Sequence, residues 1–114
     1  MVPDERGEYM WECLKKAPHA AIAWYMMLSW LYYQHDISLV PDHDYDQLCK
    51  HIMLHWDELD HPHKRFIHLD DLKAGTGYAL SDYPEMSQDA AFSLAIKDKH
   101  LKWNKKRSLW VKAS

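Results

Sequence analysis

Residues 20–34 read AAIAWYMMLSWLYYQ, a run of fifteen residues without a charged side chain. A helix that crosses a bilayer needs roughly 20 apolar residues, so the run is too short to predict a transmembrane span. A helix that is apolar on nearly every side is usually buried. We therefore predict a central helix over 20–34 in the protein's own core, with an oligomer interface or a membrane contact as the alternative.

A second helix is predicted over 42–59. Its apolar residues recur at the spacing of one helix face, and they are Tyr45, Leu48, Cys49, Ile52, Trp56 and Leu59. Asp42 is placed as its N-cap, and Asp44 and Asp46 fall in the first turn, where the helix dipole favours negative charge. Because the connector is short, the two helices are predicted to form a helical hairpin.

The rest of the chain predicts smaller elements around this hairpin. A short helix is expected over 8–16 and a third long helix over 87–103. Two stretches, 65–69 and 108–111, could pair as a small two-stranded β element. The predicted fold class is mainly α, with residues 1–114 in a single domain.

Composition limits the class of protein. The chain has 114 residues, of which 47% are hydrophobic and 27% are charged, which is typical of one globular domain and excludes a multidomain enzyme or a disordered chain. Two cysteines, Cys13 and Cys49, are too few for a disulfide scaffold. The acidic, polar start does not read as a secretory signal, so we expect free thiols in a reducing cytoplasm.

The charge is unevenly distributed along the chain. Residues 97–114 hold seven lysines and arginines against one aspartate, so the first 96 residues carry a net charge of -9 although the whole chain carries -3. Cations interleaved with aromatics bind single-stranded nucleic acid through phosphate neutralisation and base stacking. The candidate residues in this basic aromatic tail are Lys102, Trp103, Lys105, Lys106, Arg107 and Trp110. The alternative is a solvated tail that folds back on the acidic body.

The candidate binding site lies in residues 32–46, which read YYQHDISLVPDHDYD. Two tyrosines end one predicted helix and an Asp-x-x-Tyr-Asp cluster opens the next, so the hairpin brings them together in a cup. Aromatic faces attract a flat cationic ring, and carboxylates accept hydrogen bonds from ribose hydroxyls or a carboxamide. The cup suits a pyridinium nucleotide, and its residues are Tyr32, Tyr33, Asp42, Tyr45 and Asp46.

The pattern Tyr-Tyr-x-x-Asp-x-x-x-x-Pro-Asp-x-x-Tyr-Asp resembles the N-terminal Ia domain of bacterial NAD-dependent DNA ligases. The positions that keep the family's spacing are Tyr32, Asp36, Asp42, Tyr45 and Asp46. The resemblance covers about residues 20–63, and His61-Pro62 loosely matches the family's His-Pro. It implies an Ia-like helical hairpin that grips the nicotinamide mononucleotide half of NAD.

The resemblance also implies a role for each matching residue. Tyr32 and Tyr45 would face the ring, Tyr33 would lie over the phosphate or ribose, and Asp42 and Asp46 would accept hydrogen bonds. The family's catalytic Lys-x-Asp-Gly is absent, because no Asp-Gly occurs in the chain. The adenylation domain, OB-fold and zinc module do not fit in these 114 residues. The resemblance therefore implies a non-catalytic binding module.

Other functions stay open at this stage. The chain could be an interaction or inhibitor protein that kept the hairpin and lost the ligand, the kind of protein that phages encode to interfere with a larger host protein, although that comparison is analogy alone. His51 and His55 have the i, i+4 spacing of a metal pair, but we expect solvated histidines and no metal. A turn is expected at Gly75-Thr76-Gly77, without the rest of a P-loop.

Overall fold

A computed structural model describes residues 4–77, 80, 83 and 85–112 of the chain. The fold is mainly helical, as the sequence predicts. Five α-helices and one two-stranded sheet are described, together with a 3-10 helix at Pro62–Phe66. In chain order the helices and strands are α1 (Asp4–Lys16), α2 (Ala20–His35), α3 (Asp42–Leu54), α4 (Leu69–Ala74), α5 (Glu85–Lys97), β1 (Leu101–Asn104) and β2 (Leu109–Lys112).

Helix α2 is the centre of the fold. It packs against α1, α3, α5 and the 3-10 helix, and its charge-free sequence allows each of these faces to be buried. Tyr25, Met26 and Leu31 have no solvent exposure, so the prediction of a buried central helix is confirmed. Among the described residues, no helix combines the length and the apolar character that crossing a membrane requires.

The connection from α2 to α3 turns sharply. Asp36 adopts a left-handed conformation with φ 54°, and the Ile37 N–H bonds to the Leu31 carbonyl at 2.9 Å. This is the bond pattern that closes a helix C-terminus. The chain then enters α3 at Asp42, so α2 and α3 form the predicted hairpin.

Helix α3 differs from the prediction at both ends. Pro41 occupies the cap position, so Asp42 is the first helical residue and forms no side-chain cap bond. The helix ends at Leu54 rather than at residue 59. Beyond it the Trp56 carbonyl accepts a hydrogen bond from Lys64 Nζ at 2.5 Å, which replaces the helical bond. Leu59 is nevertheless buried, because a turn carries it inward.

The second half of the chain contains two corrections. The predicted strand over 65–69 is wrong, since Pro62 opens a 3-10 helix and α4 begins at Leu69. The third helix spans Glu85–Lys97 rather than 87–103, because Lys99 has a left-handed φ of 64° and ends the helical path.

A two-stranded β element is present, with a different partner from the predicted one. Strand β1 pairs with β2 in antiparallel register, with Trp103 opposite Trp110 and Leu101 opposite Lys112. The residues predicted to finish the third helix therefore form the first strand of a β-hairpin. Its turn lies at 105–108, where Ser108 has a left-handed φ of 51°.

Candidate functional site

A pocket lies where α2 ends and α3 begins, and we call it the α2–α3 pocket. Its volume is about 330 Å³, near the lower end of the ~300–1,000 Å³ typical of small-molecule sites. Its lining residues are Leu28, Tyr32, Tyr33, Ile37, Ser38, Leu39, Val40, Asp42, Tyr45, Asp46, Gly75 and Thr76. All five residues of the cup predicted from the sequence are among them.

Two tyrosines at the end of α2 form one wall. The Tyr32 ring is 48% exposed, whereas Tyr33 is half-buried. Their ring centroids lie 5.0 Å apart and the planes meet at 87°, an edge-to-face pair. The Tyr32 ring is therefore accessible to a ligand, and the Tyr33 ring packs against it.

Tyr45 comes from the first turns of α3 and its hydroxyl points inward. The hydroxyl hydrogen-bonds to Ser29 Oγ at 2.8 Å, and the ring lies 6.0 Å from Tyr25 with an interplanar angle of 25°. Burial raises the pKa of Tyr45 far above its usual range. The hydroxyl thus stays protonated near neutral pH, and the pocket meets the ring of Tyr45.

The two predicted carboxylates lie at the rim of the pocket. Asp42 is exposed, and Asp46 is half-exposed and forms an ion pair with Lys50 at 3.1 Å. Asp36, which also keeps the ligase spacing, is not part of the lining and pairs instead with Lys112 at 2.9 Å. Both rim carboxylates keep exposed oxygen atoms that can accept hydrogen bonds.

Asp44 has a different role from the other first-turn acids. It is buried, and its Oδ1 accepts a hydrogen bond from Trp11 Nε1 at 2.9 Å. A Cβ atom at Gly7 would lie 2.8 Å from Asp44 Cγ, so α1 approaches α3 closely at this point. Asp44 joins these two helices and faces away from the pocket.

One wall of the pocket does not follow from the sequence pattern, and we call it the glycine strap (residues 75–77). The Tyr25 hydroxyl donates to the Thr76 carbonyl at 2.6 Å, and the Gly77 N–H donates to the Tyr33 hydroxyl at 3.3 Å. Hydroxyls of α2 therefore hold the strap against the pocket. The sequence predicts only a turn here, because the strap and its tyrosines lie more than forty positions apart in the chain.

Both glycines are required by close approach. Gly75 has φ +70°, and a Cβ there would lie 2.7 Å from Asp46 Oδ1. A Cβ at Gly77 would lie 2.8 Å from the Tyr45 hydroxyl and would also collide with Ser29 Oγ. Only glycine meets these demands without strain, and a Gly-x-Gly spacing was the available sequence signal.

The basic tail forms the β-hairpin rather than a helix end. Lys105, Lys106 and Arg107 are exposed in its turn. The side chains of the other three nucleic-acid candidates, Lys102, Trp103 and Trp110, lie outside the described residues. The hairpin is tied to the acidic body through the ion pair from Lys112 to Asp36.

His51 at the end of α3 and His55 just beyond it form a small surface cluster. The rings of His51 and His55 lie 4.7 Å apart, and His55 Nδ1 contacts Glu58 at 2.7 Å. Burial, together with His55, lowers the pKa of His51. Within the described part of the chain, no three His, Cys, Asp or Glu side chains are grouped to hold a metal ion.

Both cysteines are free thiols, and they differ in burial. Cys13 is half-buried on α1, whereas Cys49 is fully buried on α3. Burial raises the pKa of Cys49 to about 12, so its thiolate is scarce at neutral pH and the group is a poor nucleophile.

Comparisons of the chain with protein-family models, with curated proteins and with solved structures found no match.

Proposed function

We propose that the protein is a non-catalytic, ligase Ia-like module that binds a nicotinamide nucleotide, either nicotinamide mononucleotide or that half of NAD, in the α2–α3 pocket. The observation that carries the proposal is that the residues selected from the sequence line one cavity. They are Tyr32, Tyr33, Asp42, Tyr45 and Asp46.

The chemistry of the lining supports this ligand class. The exposed face of Tyr32 and the ring of Tyr45 suit a flat cationic pyridinium, which aromatic faces attract. Asp42 and Asp46 can accept hydrogen bonds from ribose hydroxyls or the carboxamide. Apolar residues of the α2–α3 connector form the floor, and they are Ile37, Leu39 and Val40.

The proposal assigns no catalytic step to the pocket. Among the described lining residues, the ionisable groups are phenols and carboxylates. The raised pKa of Tyr45 keeps that phenol from acting as a base near neutral pH. The groups that remain can bind and orient a ligand.

Calorimetric titration with nicotinamide mononucleotide tests the proposal. Replacing an exposed stacking ring costs about 1–3 kcal/mol, so Tyr32→Ala should weaken binding roughly fivefold to a hundredfold. The matched control is Tyr9→Ala, because Tyr9 is 50% exposed on α1 and does not line this pocket. Equal affinities for Tyr32→Ala and the parent would contradict the proposed wall.

Absence of binding at millimolar ligand would reject the nucleotide and favour the alternative, an interaction or inhibitor protein of phage type. A pull-down with a larger host protein would then follow. Under that alternative, substitutions of exposed aromatic residues should affect complex formation most.

A second candidate function is nucleic-acid contact through the β-hairpin. The observation that favours it is three consecutive exposed cations, Lys105, Lys106 and Arg107, in the hairpin turn. Changing all three to Gln should remove salt-sensitive retention on single-stranded DNA and reduce the slope of log affinity against log salt by about 2. The control changes three exposed lysines elsewhere, which are Lys15, Lys16 and Lys73; an equal loss in the control would contradict a hairpin-specific role.

We also propose a reducing cytoplasm as the location of the protein. Free Cys13 and Cys49 support this location, because oxidising compartments favour disulfide formation. Fractionation of the source cells would test it.

A further inference from the structure

The charge around the α2–α3 pocket is of one sign. Among the described residues that line it, the only charged side chains are those of Asp42 and Asp46. The described lining therefore contributes carboxylates and no cation.

Two described lysines are paired with aspartates of α3 and of the C-terminus of α2. Lys50 Nζ lies 3.1 Å from Asp46 Oδ2, and Lys112 Nζ lies 2.9 Å from Asp36 Oδ2. Each of these lysines neutralises an aspartate beside the pocket, and neither belongs to the lining.

The N-terminus of α3 does not supply the missing positive charge. Helix N-termini attract phosphates through their dipole and their unpaired N–H groups. Here the first turn carries Asp42 and Asp44, whose carboxylates already meet the dipole. A phosphate placed in the pocket at this end of the helix would face the like charge of Asp42.

These charges separate the two parts of a nicotinamide nucleotide. The pyridinium ring is a cation, whereas a phosphate monoester carries about -1.5 to -2 at neutral pH. Phosphate sites are normally built from arginine forks, lysines or open helix N-termini. The described lining of the α2–α3 pocket carries carboxylates instead, which attract the pyridinium ring and repel the phosphate.

We propose that the pocket selects the N-ribosylated pyridinium cation, nicotinamide riboside, over its 5′-phosphate. The inference rests on the proposed function and narrows its ligand class: the positive ring supplies the affinity, and the phosphate reduces it. The pocket's modest volume of about 330 Å³ agrees with a ligand smaller than a dinucleotide.

Calorimetric titration of the intact chain with three ligands at low salt tests this selection. Nicotinamide riboside should bind on the order of tenfold more tightly than nicotinamide mononucleotide, because the described lining carries carboxylates and no cation. It should also bind on the order of tenfold more tightly than dihydronicotinamide riboside, which has nearly the same shape and a neutral ring.

The salt dependence gives a signature that needs no substitution. Raising the ionic strength to about 0.3 M shortens the range of charge interactions. Binding of nicotinamide riboside should then weaken, whereas binding of nicotinamide mononucleotide should strengthen or stay constant. A steric preference alone would give the two ligands the same salt response.

Two substitutions change the pocket's charge in opposite directions. Asp42→Asn should weaken riboside binding several-fold and reduce the difference between riboside and mononucleotide. Lys50→Met leaves Asp46 without its ion-pair partner, and it should tighten riboside binding and weaken mononucleotide binding. Asp57→Asn, which alters an exposed carboxylate outside the lining, is the control and should leave both affinities unchanged.

The outcomes separate this inference from the proposed function. If none of the three ligands binds, the proposed function itself fails. If nicotinamide mononucleotide binds as tightly as the riboside or more tightly, or if the dihydro compound equals the riboside, the charge selection is overturned while the pocket assignment stands.

Discussion

The ring and the hydroxyl of Tyr45 serve different neighbours. The ring lines the α2–α3 pocket, while the hydroxyl bonds to Ser29, a fully buried residue of α2. A buried hydroxyl that loses its partner keeps its desolvation cost. Tyr45 therefore contributes to the fold through one end of its side chain and to the pocket through its face.

Tyr45→Phe separates these two contributions. The substitution keeps the ring and leaves Ser29 Oγ without its 2.8 Å partner, so the free energy of unfolding should fall by about 1–3 kcal/mol. Affinity for the pyridinium ligand should change much less than in Tyr32→Ala. Urea denaturation and calorimetry measure the two effects. The control Tyr32→Phe alters an exposed hydroxyl and should shift stability by no more than ~0.5 kcal/mol; equal destabilisation in both variants would contradict the role given to Ser29.

The residues of the candidate site divide by their distance along the chain. Tyr32 and Tyr45 could be chosen from the sequence because one short connector joins the two helix ends that carry them. Ser29 could not be chosen from the sequence, because a serine within an apolar helix does not by itself indicate a contact. Its role follows from the hydrogen bond to Tyr45. The sequence predicts the glycine strap only as a turn and not as a wall of the pocket, because its partners are hydroxyls from a distant helix.

At the scale of elements, α1 is joined to the segment after α5 by a two-pronged ion pair. Arg6 Nε donates to Asp98 Oδ2 at 2.7 Å, and a second guanidinium nitrogen contacts Oδ1. Both side chains are largely buried. The hydrogen bonds from Arg6 lower the pKa of Asp98, against the opposing effect of burial. The first helix and the last helix are thereby tied together across the fold.

Asp98→Asn should reveal the contribution of the Arg6–Asp98 ion pair as a stability difference that depends on pH. Because the folded pKa of Asp98 lies below its unfolded value, its stabilisation is present above the unfolded pKa near 3.9 and is lost as the pH falls through the folded pKa. At pH 7 the variant should be less stable by about 1–3 kcal/mol. The difference between parent and variant should shrink as the pH falls below about 4. Urea titrations across this range measure it, and a difference that does not vary with pH would contradict the ion-pair assignment.

The boundaries of the elements are where the sequence patterns predict the structure least well. The start of α3 follows from Pro41 and the acids behind it, both local signals. Its end does not, because the apolar spacing continues to Leu59 while the backbone turns away after Leu54. Strand β1 was likewise not predicted, because its sequence continues a helical pattern. Its extended conformation depends on pairing with β2.

At the scale of the whole molecule, the pocket and the basic hairpin turn are separate parts of the surface. Connector, helix ends and glycine strap enclose the pocket. The exposed cations at 105–107 project from the hairpin turn and are not among the residues of its lining. The two candidate functions can therefore be located independently.

Hydrogen exchange with and without nicotinamide riboside should locate the ligand. A ligand that binds only the folded state slows local opening and raises stability by mass action. Protection should increase at residues 37–46 and at the strap, and it should stay unchanged at 101–112. Mass spectrometry of peptides from the intact chain measures it. Protection confined to the hairpin would place the ligand elsewhere and contradict the pocket.

The glycine strap also limits how small a fragment can be if it is to keep the α2–α3 pocket. Every residue that matches the ligase pattern falls within 32–46, yet Gly75 and Thr76 complete the cavity from far downstream. A peptide that contains only the helical hairpin would carry the full motif. Its cavity would lack the wall that Gly75 and Thr76 form. A fragment that keeps this cavity must therefore include the glycine strap. It must also include Tyr25 and Tyr33, whose hydroxyls bond to the strap.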